Sequence, residues 1–277
     1  MIFATIIAIG TFAFYASAHI VIPHLLVNKT DTGRWKHVLY GSIFLPFPPI
    51  QSRCPLPSLI IPLYANDEIN KQNLTCGRAA FNSLPKTEIA DVIAGEELGF
   101  QTWNEKDDGA PFTEESTYTF FHYGPGQVWL SRAPNDDLKS YYGDGDWFKV
   151  AYAGPEDNQT WKLDSRKHGI WKPINSYNFT LPRTTPPGAY LMRFEYIYPT
   201  SYNYSQFYVS CALVNIHSPD PSVKPGTPTG FAKFPGTYKL DDPGIEIPKN
   251  QDKSTVSTDS GLRLMEYKPP GPPVWTG

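Results

Sequence analysis

An antiparallel β-sandwich with long surface loops is the fold class the sequence predicts, and three observations predict it. The 277-residue chain holds 28 Pro and 21 Gly against three Met, with 17 Tyr and 16 Phe. That balance suits short strands between turns and leaves helices few and short. Aromatic and β-branched residues cluster between Pro, Gly, Asn and Asp breakers at 118–121, 128–130, 148–152, 176–181, 189–196 and 206–216, each of which reads as a strand. No period of about 20 to 50 residues repeats, and no strand-to-helix alternation demands a parallel sheet. With 40% hydrophobic residues the chain can bury a sizeable core, and one domain is the simplest reading.

In chain order, residues 1–18 are uncharged and mostly apolar and end in Ala16-Ser17-Ala18, the small-x-small pattern that signal peptidase cleaves after. The run is short for a spanning helix, so it reads as a signal peptide rather than an uncleaved anchor. Removal leaves a secreted, extracellular chain that begins at His19 and keeps no membrane segment. Residues 19–247 are expected to form the sandwich, with 45–73 and 136–149 as surface loops of the kind that carry binding surfaces. Residues 248–277 turn to Lys, Asp, Ser and Thr and then to Pro and Gly, a composition that reads as a disordered tail. The tail has no cysteine, so it is no disulfide-knotted binding module, and it lacks the apolar end of a lipid-anchor signal.

A net charge of −3 leaves no basic stripe for phosphates, which argues against a nucleic-acid partner. Secretion predicts glycosylation and oxidised cysteines. Sequons begin at Asn28, Asn73, Asn158, Asn178 and Asn203. Cys54, Cys76 and Cys211 allow one disulfide with one cysteine left over, too few to staple a small domain, so the fold must rest on its hydrophobic core.

The common catalytic signatures are absent: no GxSxG elbow, no HExxH helix, no Walker loop and no GxGxxG after a strand. What remains is a histidine at the predicted new N-terminus. Its free amine and its own imidazole can chelate one metal ion together, and a second histidine would complete a planar three-nitrogen set. Such ligands suit Cu(II), which also heads the affinity order of the divalent first-row metals. His122, followed at once by turn residues, is a candidate for that second imidazole. Alternation along 206–211 places Gln206, Tyr208 and Ser210 on one face, so a phenol beside an amide could approach an axial metal position. His24, His37, His168 and His217 read as ordinary structural or surface histidines.

These residues lie within a longer set of motifs. Ala18 precedes His19, Cys76 meets Gly77, Ala94-Gly95-Glu96 leads to Trp103-Asn104, and His122 is followed by Gly124-Pro125. Trp147-Phe148-Lys149 comes next, then Pro187-Gly188-Ala189-Tyr190-Leu191-Met192-Arg193 and Gln206-Phe207-Tyr208 with Cys211. The run from Pro235-Gly236-Thr237-Tyr238 through Asp241-Asp242-Pro243-Gly244-Ile245 closes it. In this order along nearly the whole mature domain, the chain resembles a fungal lytic polysaccharide monooxygenase of auxiliary activity family 9, the copper enzymes once classed as glycoside hydrolase family 61.

The resemblance implies an immunoglobulin-like sandwich whose flat face docks on β-glucan, with one copper ion at its centre. It implies that His19 supplies amine and imidazole, His122 the second imidazole and Tyr208 the axial oxygen, with Gln206 and Tyr208 catalytic. It also implies a Cys76 to Cys211 disulfide with Cys54 unpaired, an external electron donor and a monomer. Tyr238 would either offer a sugar-stacking ring or pack beneath its loop. One departure stands out. The family has Arg-His-Glu where this chain has Arg193-Phe194-Glu195, so Phe194 is expected to replace an outer histidine near the copper and to remove a hydrogen-bonding group there. Two functions follow. One is a copper-dependent oxidase that cleaves β-1,4-glucan, cellulose or a related hemicellulose, at C1 or C4. The other is a non-catalytic or redirected relative that handles copper or binds cell walls. A carboxylate-pair glycosidase is disfavoured, because adjacent Asp241 and Asp242 on an extended segment point to opposite faces.

Overall fold

The computed structural model describes residues 20–41, 62–102, 119–256 and 259–277. Its strands are β1 (His24–Val27), β2 (Thr30–Asp31), β3 (Leu63–Tyr64), β4 (Ala90–Ile93), β5 (Glu97–Gln101), β6 (Gly126–Arg132), β7 (Trp147–Ala153), β8 (Ser176–Thr180), β9 (Gly188–Tyr198), β10 (Gln206–His217) and β11 (Phe231–Ala232). Five of the six expected strand segments lie within or overlap β6 to β10. The sixth does not form a strand over its described part, 119–121. There Phe120 makes a single backbone bond to Ile174 and spends its ring as a plug between the sheets, 4.9 Å from Tyr196. Two four-residue helices, α1 (Ala65–Glu68) and α2 (Asn73–Cys76), begin within or just beyond the stretch expected as loop.

The strands make a β-sandwich. One sheet runs β2-β1-β5-β8, the other β11-β7-β6-β9-β10-β3, and β4 joins β10 as a parallel edge. All other pairings between strands are antiparallel. Alternation divides the side chains of the larger sheet. Val128, Leu130, Phe194, Tyr196 and Val214 face Leu25, Leu98 and Phe100 in the space between the sheets. Trp129, Leu191, Phe207 and Leu213 face the other way, under Leu74, Leu138 and Phe234 from the connecting segments. Both faces of β9 are therefore buried, which its near-unbroken apolar run already suggests.

The outer face carries a polar knot. Arg193 and Glu195, both fully buried, pair at 2.8 Å. Glu195 Oε1 accepts from Trp129 Nε1 at 2.9 Å, from Gln127 Nε2 at 3.0 Å and from the Tyr238 hydroxyl. Nearby the Cys76 to Cys211 disulfide ties α2 to β10 with Cα atoms 5.2 Å apart and closes a loop of 135 residues. A loop of that length corresponds to about 5 kcal/mol in the chain-entropy account. Cys54 lies outside the described residues.

The C-terminal segment is not a dangling tail. Leu262, Leu264 and Tyr267 join Trp161 and Ile247 in a third apolar cluster. The Tyr267 hydroxyl donates to the Gly244 carbonyl at 2.7 Å. Trp275 enters the main core edge-on to Phe148, and its backbone N–H donates to the Lys149 carbonyl at 2.7 Å. Composition predicted correctly that this stretch forms little regular structure. It failed because four spaced apolar side chains suffice to dock an irregular strand. Trp275→Ala is expected to lower stability by about 3 kcal/mol in a denaturant melt, as loss of a buried Trp does; an unchanged midpoint would put the segment back in solvent.

Candidate metal centre

His122 sits on a loop, and the residues that follow it bring that loop against β9. A Cβ on Gly124 would lie 1.8 Å from the Ile197 carbonyl oxygen, so only glycine permits the approach. Pro125 then accepts a bond from the Ile197 N–H at 3.0 Å, and the Tyr196 hydroxyl donates to the His122 carbonyl. The spacing of histidine, glycine and proline seen in the sequence is thus a docking device. The Nε2 atom of His122 is buried, and its ring lies 5.7 Å from that of Tyr208, centroid to centroid.

Tyr208 comes from β10, opposite Tyr196, and two residues before it Gln206 stands opposite Tyr198. The Tyr208 hydroxyl donates to Gln206 Oε1 at 2.7 Å, as expected for residues i and i+2 on one strand face. Burial pushes the Tyr208 phenol well above its ordinary pKa, so it is a neutral oxygen at neutral pH. Tyr198 is pushed up to about 12, again chiefly by burial.

An imidazole nitrogen beside a neutral phenol oxygen fits a copper ion better than a hard, carboxylate-seeking cation. Among the described residues no group of three or more His, Cys, Asp or Glu assembles. His19 lies outside the described residues. Ile20, the residue bonded to it, lines the same small cavity of about 60 Å³ as Tyr208, with Trp35 and Arg78. The remaining histidines are engaged elsewhere: His24 with Asp31 at 2.9 Å, His37 with the Glu88 carbonyl, His168 with Asp157 and His217 with Asp91.

A family model described as Auxiliary Activity family 9 (formerly GH61) matches residues 19–258. The chain belongs to Auxiliary Activity family 9. It is 47% identical over 275 residues to AA9 family lytic polysaccharide monooxygenase U of Thermothielavioides terrestris, across 95% of this chain and 94% of that one. It is 29% identical over 275 residues to the family's enzyme C of Emericella nidulans, across 97% and 96% of the two chains. Among solved structures, HiLPMO9B superposes with a TM-score of 0.64 at 20% identity, over 94% of this chain and 100% of that one. A cellulose-active polysaccharide monooxygenase from M. thermophila superposes at 0.58 and 21%, over 94% and 100%. These structures support the shared fold. The chain is accordingly an enzyme of the lytic polysaccharide monooxygenase class, a family of copper oxidoreductases.

One expectation drawn from the family 9 resemblance needs correction. Tyr238 is only 2% exposed, stacked on Phe207 and hydrogen-bonded to Glu195, so it is a core residue and offers no ring to sugar. Phe194 lies in the same inter-sheet cluster as Tyr196 and Tyr208. It stands opposite Ser210, two residues along β10 from Tyr208, and it packs on Phe100 at 5.3 Å, Tyr177 at 5.8 Å and Phe120 at 5.9 Å between the sheets. The residue that does stand across from Gln206, and over His122, is Tyr198. Sequence reasoning missed it by ending the strand at Tyr196, although Tyr196 and Tyr198 share an alternation face. Of the sequons, Asn28, Asn158, Asn178 and Asn203 are exposed, while Asn73 is half-buried and donates to Glu68. Phe194→His would place an imidazole against Phe100, Phe120 and Tyr177; it is expected to cost about 2 to 4 kcal/mol of stability, read by thermal or denaturant unfolding. A variant as stable as the wild type would overturn this packing.

Proposed function

We propose that the protein is secreted after removal of residues 1–18 and oxidatively cleaves β-1,4-glucan, cellulose or a related hemicellulose, at C1 or C4. The observation that supports it best is the His122, Tyr208 and Gln206 set at one end of a family 9 sandwich. One copper ion would be held by the His19 amine and imidazole, the His122 imidazole and the Tyr208 phenol. Bound there, copper supplies one-electron chemistry toward O2 or H2O2, with electrons from an external donor. The net change at the sugar is balanced: a C–H bond gives C–OH, using O2, two electrons and two protons, or one H2O2, with one water formed. The hydroxylated carbon then expels the glycosidic oxygen.

The chain's own residues prepare that chemistry. Gln206 fixes the Tyr208 hydroxyl, and burial keeps the phenol neutral. The sugar face is set by tyrosines that the sequence did not single out. Tyr202 and Tyr204 are 52% and 43% exposed, their rings 14° from parallel, and Tyr204 rests on Tyr64, the strand partner of Gln206. Exposed rings beside the metal set offer pyranose faces an apolar platform. The alternative, a non-catalytic or redirected relative, draws on Phe194, which leaves no hydrogen-bonding side chain where the family has histidine.

Mass spectrometry of products from swollen cellulose and mixed β-glucans tests this, with processed, copper-loaded protein and ascorbate. Oxidised oligosaccharides that vanish with EDTA are expected; bound copper with no oxidised sugar on any substrate would favour the non-cleaving relative. His122→Ala should weaken copper binding by more than the about 10- to 100-fold typical of losing an outer-shell partner, read by calorimetry. Tyr204→Ala is expected to weaken glucan binding about two- to tenfold, the worth of one aromatic contact, with copper affinity unchanged. Asn203→Gln, which removes the sequon between the two rings, keeps that comparison free of a glycan.

A further inference from the structure

Two phenols of one strand hold His122, and neither belongs to the ligand set. Tyr196 and Tyr198 stand two residues apart on β9, so alternation turns both toward the face that carries Tyr208 on β10. Tyr196 secures the backbone, donating its hydroxyl hydrogen to the His122 carbonyl. Tyr198 secures the ring: its centroid lies 4.4 Å from that of the imidazole, with the planes 15° from parallel. That is face-to-face stacking at contact distance, the arrangement in which two flat rings restrict each other's rotation most.

The far edge of Tyr198 is restrained in turn. Its hydroxyl contacts those of Ser254 and Tyr202. Ser254 is fixed by buried Asp252, whose Oδ1 accepts from the Ser254 N–H at 3.0 Å and from its hydroxyl at 2.5 Å. The other oxygen of Asp252 accepts from the Ser201 N–H and hydroxyl, both at 2.8 Å. One carboxylate therefore joins the segment around residue 254 to the turn that leads into Gln206. A histidine's χ2 torsion is broad and roughly two-fold, so a loop-borne imidazole needs a neighbour to fix its plane.

We propose that Tyr198 is a positioning residue that clamps the His122 imidazole by stacking, and that Asp252 and Ser254 of the C-terminal segment hold the clamp in place. Its consequence for metal binding rests on the copper reading above, whereas the stacked geometry belongs to the metal-free protein. Outer groups that orient a ligating histidine are worth about 10- to 100-fold in metal affinity.

Two measurements test the clamp. In NMR spectra of the metal-free protein, the His122 ring protons are expected upfield, shielded by the Tyr198 ring. Tyr198→Phe keeps that shift and Tyr198→Leu loses it. In the copper-loaded protein, Tyr198→Leu is expected to alter the Cu(II) EPR spectrum and to weaken copper affinity about 10- to 100-fold, while Tyr198→Phe restores both. Ser254→Ala should move the spectrum in the same direction as Tyr198→Leu, by less. A wild-type His122 with no upfield shift overturns the clamp without need of any variant. So does a folded Tyr198→Leu with wild-type affinity and spectrum. An upfield shift in a wild-type protein that takes up no copper would sink the copper reading and leave the clamp standing.

Discussion

The register between β9 and β10 is the constraint on which the rest of the molecule depends. Eleven residue pairs join them, from Gln206 opposite Tyr198 to Ile216 opposite Gly188. On the inner face this register sets Tyr208 against Tyr196 and Gln206 against Tyr198, and so brings the loop carrying His122 to the phenol. On the outer face it sets Cys211 against Arg193, within reach of α2 and its Cys76. Because side chains alternate with a period of two, a slip of one residue would either turn Gln206 and Tyr208 outward or drive Arg193 and Glu195 into the space between the sheets. The Gln206 and Tyr208 pair, the disulfide and the ion pair are three consequences of one alignment.

The outer face explains why charged residues are buried at all. It is covered by segments with little regular structure, whose carbonyl groups have no strand or helix partner and must find donors inside. Arg193 donates to the Leu74 and Thr75 carbonyls and lies over the Phe234 ring at 4.1 Å. Lys149 donates to the Pro270 carbonyl at 3.0 Å, above Trp129. Burial pushes the Lys149 pKa down to about 8, and Glu195 opposes that shift. A long cation reaching from a strand is thus the means by which irregular segments are stitched to the sheet. Desolvating these groups costs stability, and the hydrogen bonds and rings around them offset it.

How much of this was legible in the sequence depended on whether a property was local. Alternation located β6 to β10 and the shared face of Gln206 and Tyr208, because pattern and geometry have the same period. His122 before a glycine and a proline was legible as a loop residue, though its reason, the close approach of Gly124 to Ile197, is a tertiary fact. The layers that Tyr238 and Trp275 enter were not legible, for one shared reason. A matching motif or a local composition says which residue is present, not which layer it enters, and Tyr238 and Trp275 differ from exposed aromatics only in what covers them. Tyr198 was missed because its importance comes from the ring it faces, more than 70 positions away in the chain.

His122 is borne by a loop, whereas Tyr208 and Gln206 sit on a strand, and that asymmetry gives the C-terminal segment its place in the design. Strand side chains inherit their positions from the ladder; a loop side chain has to be pinned by packing. The neighbours of His122 are pinned in this way. Phe121 lies under Arg166 at 3.7 Å, and Tyr123 lies under Lys253 at 5.0 Å. Lys253 is held by the Asp164 carboxylate at 3.0 Å, and Tyr123 packs on the cluster of Leu262, Leu264 and Tyr267. Residues beyond the last long strand therefore brace the loop from one side while Tyr196 and Tyr198 brace it from the other. An irregular, Pro-rich end of the chain is well suited to this, since it can follow a loop's contour where a strand or helix would impose its own.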